Sequence, residues 1–291
     1  MNELVGTGVA LVTPFKEDFS VDFEALQNLL NHTTEGGVDY FVVMGTTAET
    51  ATVSKEEKKQ ILSFVKEKSP VKIPIVYGIG GNNTQELISE LKETELNDVS
   101  AILSVSPYYN KPSQEGLYQH YMKLADSSPV PIILYNVPGR TGMNMTAQTT
   151  ARLSAHPNII GVKEASGDLV QCIEIKKNTP DDFMLIAGDD LLAVPIISIG
   201  GNGSIAVLAN LFPKDFSDMV RLSINGDFTK ASEILRKFTQ INPLMYAEGN
   251  PVGAKCALSE LGLIKNVVRQ PLYPASKSLQ LLIKEALSEF L

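Results

Sequence analysis

Tryptophan is absent from this chain, cysteine occurs only at Cys172 and Cys256, and histidine only at His32, His120 and His156. Two cysteines are too few for a disulfide framework, so both read as core thiols and a reducing cytoplasm is the expected setting. The histidines stand far apart in no paired spacing, which argues against a histidine-based metal site. Lysine and arginine never run beyond two in a row and the net charge is −8, so neither nucleic acid nor an anionic membrane is an expected partner. No apolar stretch reaches the roughly 18–20 residues that span a bilayer. The opening MNELVGTGVALVTPF lacks a basic leader and a cleavage signal and runs directly into an expected strand.

What is present is a chain of 291 residues, 44% hydrophobic and 20% charged, enough for a sizeable core. Short β-rich runs recur at Gly8–Val12, Tyr40–Met44, Pro74–Tyr77, Ala101–Val105, Ile132–Tyr135, Ile159–Lys163, Phe183–Ala187 and Gly203–Val207. They are continuously apolar rather than alternating, as in parallel strands buried on both faces. Helical patterns lie between them. Asp22 to Glu35 carries Phe23, Leu26, Leu29 and Leu30 on one face. Ser54-Lys55-Glu56-Glu57 is a capping box. Thr84 and Asp168 are candidate caps, Leu117, Tyr121, Leu124 and Ala125 form another stripe, and Thr146 to Ala155 is stopped by Pro157. Pro213 to Ile224 ends at Asn225-Gly226.

Eight strands each followed by a helix match a (β/α)₈ TIM barrel over residues 1–225, with an open doubly wound sheet as the structural rival. Residues 226–291 read as a C-terminal three-helix region: Phe228 to Ile241, a helix opened by Asn250-Pro251 and ended by Gly262, and Ser276 to Leu291. These helices are an appendage rather than an independent core.

One lysine stands out. Lys163 closes the run Ile159-Ile160-Gly161-Val162, and Tyr135, 28 residues earlier, closes Ile132-Ile133-Leu134. That spacing is about one βα repeat, so the two would sit at equal height on neighbouring strands, at the end where barrels place their chemistry. Strand alternation puts Gly161 and Lys163 on one face with Ile160 and Val162 on the other; the same count turns Ile133 and Tyr135 inward. A lysine inside a barrel is dehydrated, which lowers its pKa from about 10.4 and leaves free amine near neutrality. A free amine attacks a ketone to form an imine, and an adjacent phenol can carry the protons. The competing readings are a lysine merely exposed at the strand's end and a core tyrosine.

Gly45-Thr46-Thr47-Ala48-Glu49-Thr50 follows the second strand. Its hydroxyls and backbone N–H groups suit a carboxylate, although a plain βα loop would look similar. Pro138-Gly139-Arg140-Thr141-Gly142 follows the fifth; Arg140 could grip a carboxylate with two prongs or simply be solvated. Two glycine clusters tempt a nucleotide reading. Gly78-Ile79-Gly80-Gly81 lacks the third glycine of the dinucleotide fingerprint, and Gly201-Asn202-Gly203-Ser204-Ile205-Ala206 leads into a strand rather than a helix.

Together, GTTAET, SPYYNKPSQEGLYQHY, ILYNVPGRTG, IIGVKEASGD and GGNGSIAVLAN resemble the 4-hydroxy-tetrahydrodipicolinate (dihydrodipicolinate) synthase family of pyruvate-dependent Schiff-base enzymes, over essentially the whole chain. The resemblance implies a (β/α)₈ barrel, a homotetramer built as a dimer of dimers, and condensation of pyruvate with aspartate-4-semialdehyde in diaminopimelate and lysine biosynthesis. It implies Lys163 as the Schiff-base lysine and Tyr135 as proton shuttle, linked through Thr46 to Tyr109 reaching in from a neighbouring subunit. It also implies that Thr46 and Thr47 hold the pyruvate carboxylate, that Arg140 holds that of the second substrate, and that main-chain groups of Gly188 and Ile205 line the pocket. No metal or organic cofactor is implied.

Related sialic-acid lyases and sugar-acid aldolases share the Lys/Tyr pair, so cleavage of a sugar acid such as N-acetylneuraminate is the alternative activity. Arg140 and the Tyr108-Tyr109 pair favour the synthase. A barrel that lost its chemistry and became a binding protein is a third reading, opposed by the intact Lys163, Tyr135 and Thr46 set. Ala48 replaces the glycine usual in the family's loop. Asn82, Glu86 and Tyr108 match a lysine-binding allosteric groove, but Lys55 and Lys58 stand where inhibited relatives often carry histidines. Like charges roughly 4 Å apart repel by about 4 kcal/mol at an effective dielectric near 20, so lysine feedback is expected to be weak or absent.

Overall fold

The computed structural model describes residues 2–290. Eight strands close into a barrel: β1 (Gly6–Ala10), β2 (Tyr40–Val43), β3 (Ile75–Gly78), β4 (Ala101–Val105), β5 (Ile132–Asn136), β6 (Ile159–Glu164), β7 (Met184–Ala187) and β8 (Gly203–Ala206). Each pairs in parallel with its neighbour in chain order, and β8 returns to β1 through Gly6↔Gly203 and Gly8↔Ile205. That closure removes the open-sheet alternative. β1 begins two residues earlier than the apolar run predicts, because Gly6 and Thr7 pair with β8 while Leu11 and Val12 lie past the pairing.

Side-chain parity sets the layers. Tyr40, Val42, Ile133, Tyr135, Met184 and Ile186 fill the barrel, while Phe41, Val43, Ile132, Leu134 and Leu185 pack outward against the helices. Both sets are apolar, which is why the strands read as continuous hydrophobic runs. β6 breaks the parity once. Ile132 pairs with Ile159 but Ile133 pairs with Gly161, so Ile160 is an extra residue in the ladder. Ile160 therefore packs on the inner cluster rather than outward as simple alternation predicts, while Val162 keeps the expected outward side.

The helices are α1 (Phe23–Glu35), α2 (Lys55–Lys68), α3 (Thr84–Glu93), α4 (Gln114–Ser127), the single-turn α5 (Pro138–Thr141), α6 (Ala147–Leu153), α7 (Leu169–Asn178), α8 (Ala193–Ser198) and α9 (Pro213–Ile224). The Ser54/Glu57 capping box opens α2 with both reciprocal bonds formed, and Asp168 caps α7 through the N–H groups of Val170 and Gln171. Asn83, not Thr84, caps α3: its Oδ1 accepts from the N–H groups of Gln85 and Glu86, and Thr84 is the first helical residue. α6 stops two residues short of the expected Ala155.

Beyond the barrel come α10 (Phe228–Lys237), the single-turn α11 (Ile241–Leu244), α12 (Val252–Glu260) and α13 (Lys277–Leu287). The pattern over Phe228 to Ile241 predicts one helix, but it breaks after Lys237. Pro243 has no N–H to return to Thr239, so a regular helix cannot run on through that turn. Pro251 precedes α12 rather than opening it. The last residue of the expected run to Leu291 lies outside the described residues. Ala231, Phe238, Met245, Val252, Leu258 and Ile283 belong to the same apolar cluster as the outer barrel layer. Cys172 and Cys256 are buried free thiols. Among the described residues no helix is long and apolar enough to cross a membrane, and no three His, Cys, Asp or Glu side chains gather as a candidate metal cluster.

Candidate active site

β5 and β6 carry the two residues singled out by spacing, and they meet. Tyr135 and Lys163 are direct register partners. The Lys163 Nζ lies 4.5 Å from the centroid of the Tyr135 ring. Lys163 is only 6% exposed. Burial pulls its amine down to about 8; the carboxylate of Asp190 resists that pull and the Arg140 guanidinium adds to it. Burial pushes the Tyr135 hydroxyl up, while Arg140 and a hydrogen-bonding contact from the Thr46 side chain pull it back. At neutral pH a fraction of the Lys163 side chain is therefore uncharged amine beside a protonated phenol.

The stem of Lys163 needs space that only glycine leaves. A Cβ at Gly188 would sit 3.1 Å from the Lys163 Cε, 3.0 Å from the Glu164 carbonyl oxygen and 2.7 Å from the Ala165 Cβ. The Gly188 N–H donates to that same Glu164 carbonyl at 2.8 Å. Ile205 lies in the interior cluster that also contains Tyr135.

A buried carboxylate locks the two strand ends together. The Glu164 side chain accepts from the Asn136 amide at 3.0 and 3.1 Å, from the Ser166 N–H at 2.7 Å and from the Gln171 amide at 3.0 Å. Asn136 and Glu164 are themselves register partners one step beyond Tyr135 and Lys163. Each functional side chain is thus followed by an anchored neighbour, which fixes its height and direction.

The Thr46–Ala48 segment forms a single 3₁₀ turn between two residues in the left-handed region, Met44 at φ 59° and Glu49 at φ 56°. Left-handed conformations outside glycine are strained and persist only where surroundings enforce them. Here the enforcement is visible. The Thr13 hydroxyl donates to the Ala48 carbonyl at 2.8 Å, and the Asn250 amide donates to the Thr47 hydroxyl at 3.0 Å. Gly78 lets the loop approach, since a Cβ there would fall 2.0 Å from the Met44 carbonyl oxygen. Ala48 is buried and fits without disturbing the turn.

A cavity of about 520 Å³ opens at this end of the barrel, bordered by Thr46, Tyr135, Arg140, Tyr108 and Asn250 among others. Arg140 sits on α5 and is exposed, with its guanidinium 3.5 Å from the Asn250 carbonyl. Tyr108 faces the cavity, whereas Tyr109 is 91% exposed and held at φ 71° on the loop after β4. Tyr109 does not line its own chain's cavity.

The groove residues are only partly gathered. The Asn82 amide donates to the Tyr108 carbonyl at 3.1 Å, and Lys58 shares the cavity wall with Tyr108. Glu86 lies in the first turn of α3 beside its Asn83 cap. Lys58 Nζ is 3.9 Å from Glu90, and Lys55 Nζ is 3.8 Å from Glu93 in solvent. Both cations therefore face partner carboxylates on α3.

Pattern reading missed three buried charges near the site. Asp190 follows β7, accepts from the N–H groups of Val207 and Leu208, and is pushed up to about 7 by burial. Glu164, directly after the lysine, carries no local pattern that marks it as buried. Lys255 is fully buried against Glu49. The signal for Lys255 was present: it is the single charge within Val252–Leu258, a segment whose every residue is buried.

A closed parallel barrel with a dehydrated amine and a phenol side by side at the strands' C-terminal end defines a class, the enzymes that capture carbonyl substrates as imines. Comparison with known proteins is consistent throughout. The model of the Dihydrodipicolinate synthetase family matches residues 3–290. A 4-hydroxy-tetrahydrodipicolinate synthase of Cytophaga hutchinsonii is 53% identical over 286 residues, 98% of this chain and 96% of that one. The crystal structure of dihydrodipicolinate synthase from Thermotoga maritima superposes with a TM-score of 0.95 at 37% identity, covering 98% of both chains. The chloride-inhibited dihydrodipicolinate synthase from Acinetobacter baumannii complexed with pyruvate does so with a TM-score of 0.95, 37% identity and 98% of both chains. The chain belongs to the dihydrodipicolinate synthetase family.

Proposed function

We propose that this enzyme condenses pyruvate with L-aspartate-4-semialdehyde to give 4-hydroxy-tetrahydrodipicolinate, on the route to diaminopimelate and lysine, through an imine on Lys163. The observation that carries the reading is the buried Lys163 amine held against Tyr135. The neutral Nζ attacks the keto carbon of pyruvate, and the carbinolamine loses water as the Tyr135 hydroxyl delivers a proton to the departing oxygen. Loss of a methyl proton turns the imine into an enamine. The enamine carbon then attacks the aldehyde carbon of the second substrate. Finally the substrate's own amine attacks the imine carbon, closes the ring and releases Lys163.

The remaining residues take roles that suit their positions. Thr46 and Thr47 present hydroxyls and backbone N–H groups to the pyruvate carboxylate, and Thr46 links Tyr135 to the rest of a proton relay. Arg140, at the cavity mouth, receives the carboxylate of the aldehyde substrate. Gly188 and Ile205 shape the wall around the amine. Tyr109, exposed in its own chain, completes the relay of a neighbouring subunit in a tetramer arranged as a dimer of dimers. A cytoplasmic setting accords with two free buried thiols.

An assay that offers second substrates in turn tests the assignment. Turnover of pyruvate with aspartate semialdehyde and no cleavage of N-acetylneuraminate is expected; the opposite pattern would move the enzyme among the sugar-acid lyases.

A further inference from the structure

The C-terminal helices do more than cover the barrel's flank. Lys255 of α12 has a side chain that is 0% exposed, and its Nζ stands 2.5 Å from Glu49 Oε1, the residue that ends the Thr46–Ala48 turn. Lys255 is the sole partner of that oxygen among the described residues. The ammonium also donates to the Val267 carbonyl at 2.9 Å and lies 4.0 Å from the centroid of the Phe15 ring, so its surroundings are complete. The other Glu49 oxygen accepts from the Arg269 backbone N–H at 2.8 Å. The Arg269 guanidinium extends the grip by donating to the Thr52 carbonyl at 2.8 Å and to the carboxylate of Glu57. Asn250 adds its bond to Thr47. Apart from the Val267 and Phe15 contacts, which surround Lys255 itself, these bonds join the segment after residue 249 to the loop and helix that follow β2.

A pair this deep is poorly explained as glue. Two buried charges recover little more than their desolvation cost, and apolar side chains of similar size hold a fold as well. What charges supply that apolar groups do not is direction. Glu49 is a non-glycine residue in the left-handed region, and its carboxylate is gripped from two sides in that conformation. The turn that it closes presents Thr46 and Thr47.

We propose that Lys255, acting through Glu49, is a positioning residue that holds the Thr46–Thr47 turn ready for the carboxylate of the keto-acid substrate. The inference rests on the proposed pyruvate chemistry. It makes the C-terminal region part of substrate capture, although no side chain of α12 need touch the substrate.

The test compares wild type with Lys255→Met and with the double variant Glu49→Gln/Lys255→Met, which leaves no unpaired buried charge and so retains the fold where the single variant does not. Three quantities are read: pyruvate KM, borohydride trapping at saturating pyruvate, and hydrogen exchange of the peptide covering residues 45–52. The expected result is a pyruvate KM raised roughly tenfold, the effect of about one lost preorganising hydrogen bond. Faster exchange confined to that peptide, with trapping at saturation preserved, accompanies it. A double variant whose pyruvate KM and loop exchange stay within twofold of wild type overturns the proposal, whatever happens to its melting temperature. Failure of wild type itself to be trapped by borohydride with pyruvate would instead sink the underlying chemistry.

Discussion

Tyr135 and Lys163 face each other across one step of the β5–β6 ladder, with the lysine nitrogen 4.5 Å from the centre of the phenol ring. The contact sets two tendencies against each other. An aromatic face favours the ammonium, whereas burial favours the amine. Burial pulls the lysine down to about 8 against the opposing pull of the Asp190 carboxylate.

Tyr135→Phe separates the ring from its hydroxyl. The ring remains over the amine and the fold is undisturbed, so pyruvate is still trapped at Lys163 by borohydride. The proton path is lost, and kcat is expected to fall by about 10²–10⁴-fold, the usual contribution of a positioned acid–base group. Steady-state kinetics beside a trapping assay check this. Full activity in Tyr135→Phe would remove the phenol from the mechanism.

The pH dependence follows from the neighbours of Lys163. Attack requires the neutral amine, so kcat/KM for pyruvate should climb with pH and level off above about 8. Asp190 favours the ammonium and holds that value up. Asp190→Asn removes the anion, and the rising limb moves to lower pH. A pH profile of kcat/KM in the two proteins decides the matter; a limb that stays in place or moves upward contradicts the assigned coupling.

Lysine feedback is expected to be weak. Lys58 stands on the same cavity wall as Tyr108 while Lys55 lies out in solvent, so a ligand ammonium at that wall meets the like charge of Lys58. The pairing of Lys58 with Glu90 at 3.9 Å is loose and partly solvated, so it offsets the repulsion only in part. Initial rates against L-lysine should show half-inhibition only at millimolar levels or none. Inhibition at micromolar lysine would show that the groove accommodates both cations.

Much of this site could be read before the structure, for a physical reason. A buried parallel strand leaves little room for polar residues, so Lys163 and Tyr135 at the ends of apolar runs carry information, and a near-constant βα repeat places them side by side. The extra residue Ile160 escaped because register is a property of two strands and cannot be read from one. Asn83 displaced Thr84 as a cap because both residue types cap well and only backbone geometry separates them. Asp190, Glu164 and the Glu49–Lys255 pair escaped for a further reason. For Asp190 and the Glu49–Lys255 pair the partners lie far along the chain, 17 residues for Asp190 and Val207 and more than 200 for Glu49 and Lys255, where no local period reaches; Glu164 joins its near neighbours Ser166 and Gln171 to Asn136 on the adjacent strand, a link that only strand pairing reveals.

The central claim is that one dehydrated amine captures the keto acid covalently. Borohydride reduction in the presence of pyruvate, followed by peptide mass analysis, tests it most directly on wild type and Lys163→Ala. The account predicts a reduced pyruvate adduct on the peptide containing Lys163, no adduct in the variant, and turnover lowered by roughly a thousandfold or more, about 4 kcal/mol of barrier. An adduct on another lysine, or undiminished turnover in Lys163→Ala, contradicts it.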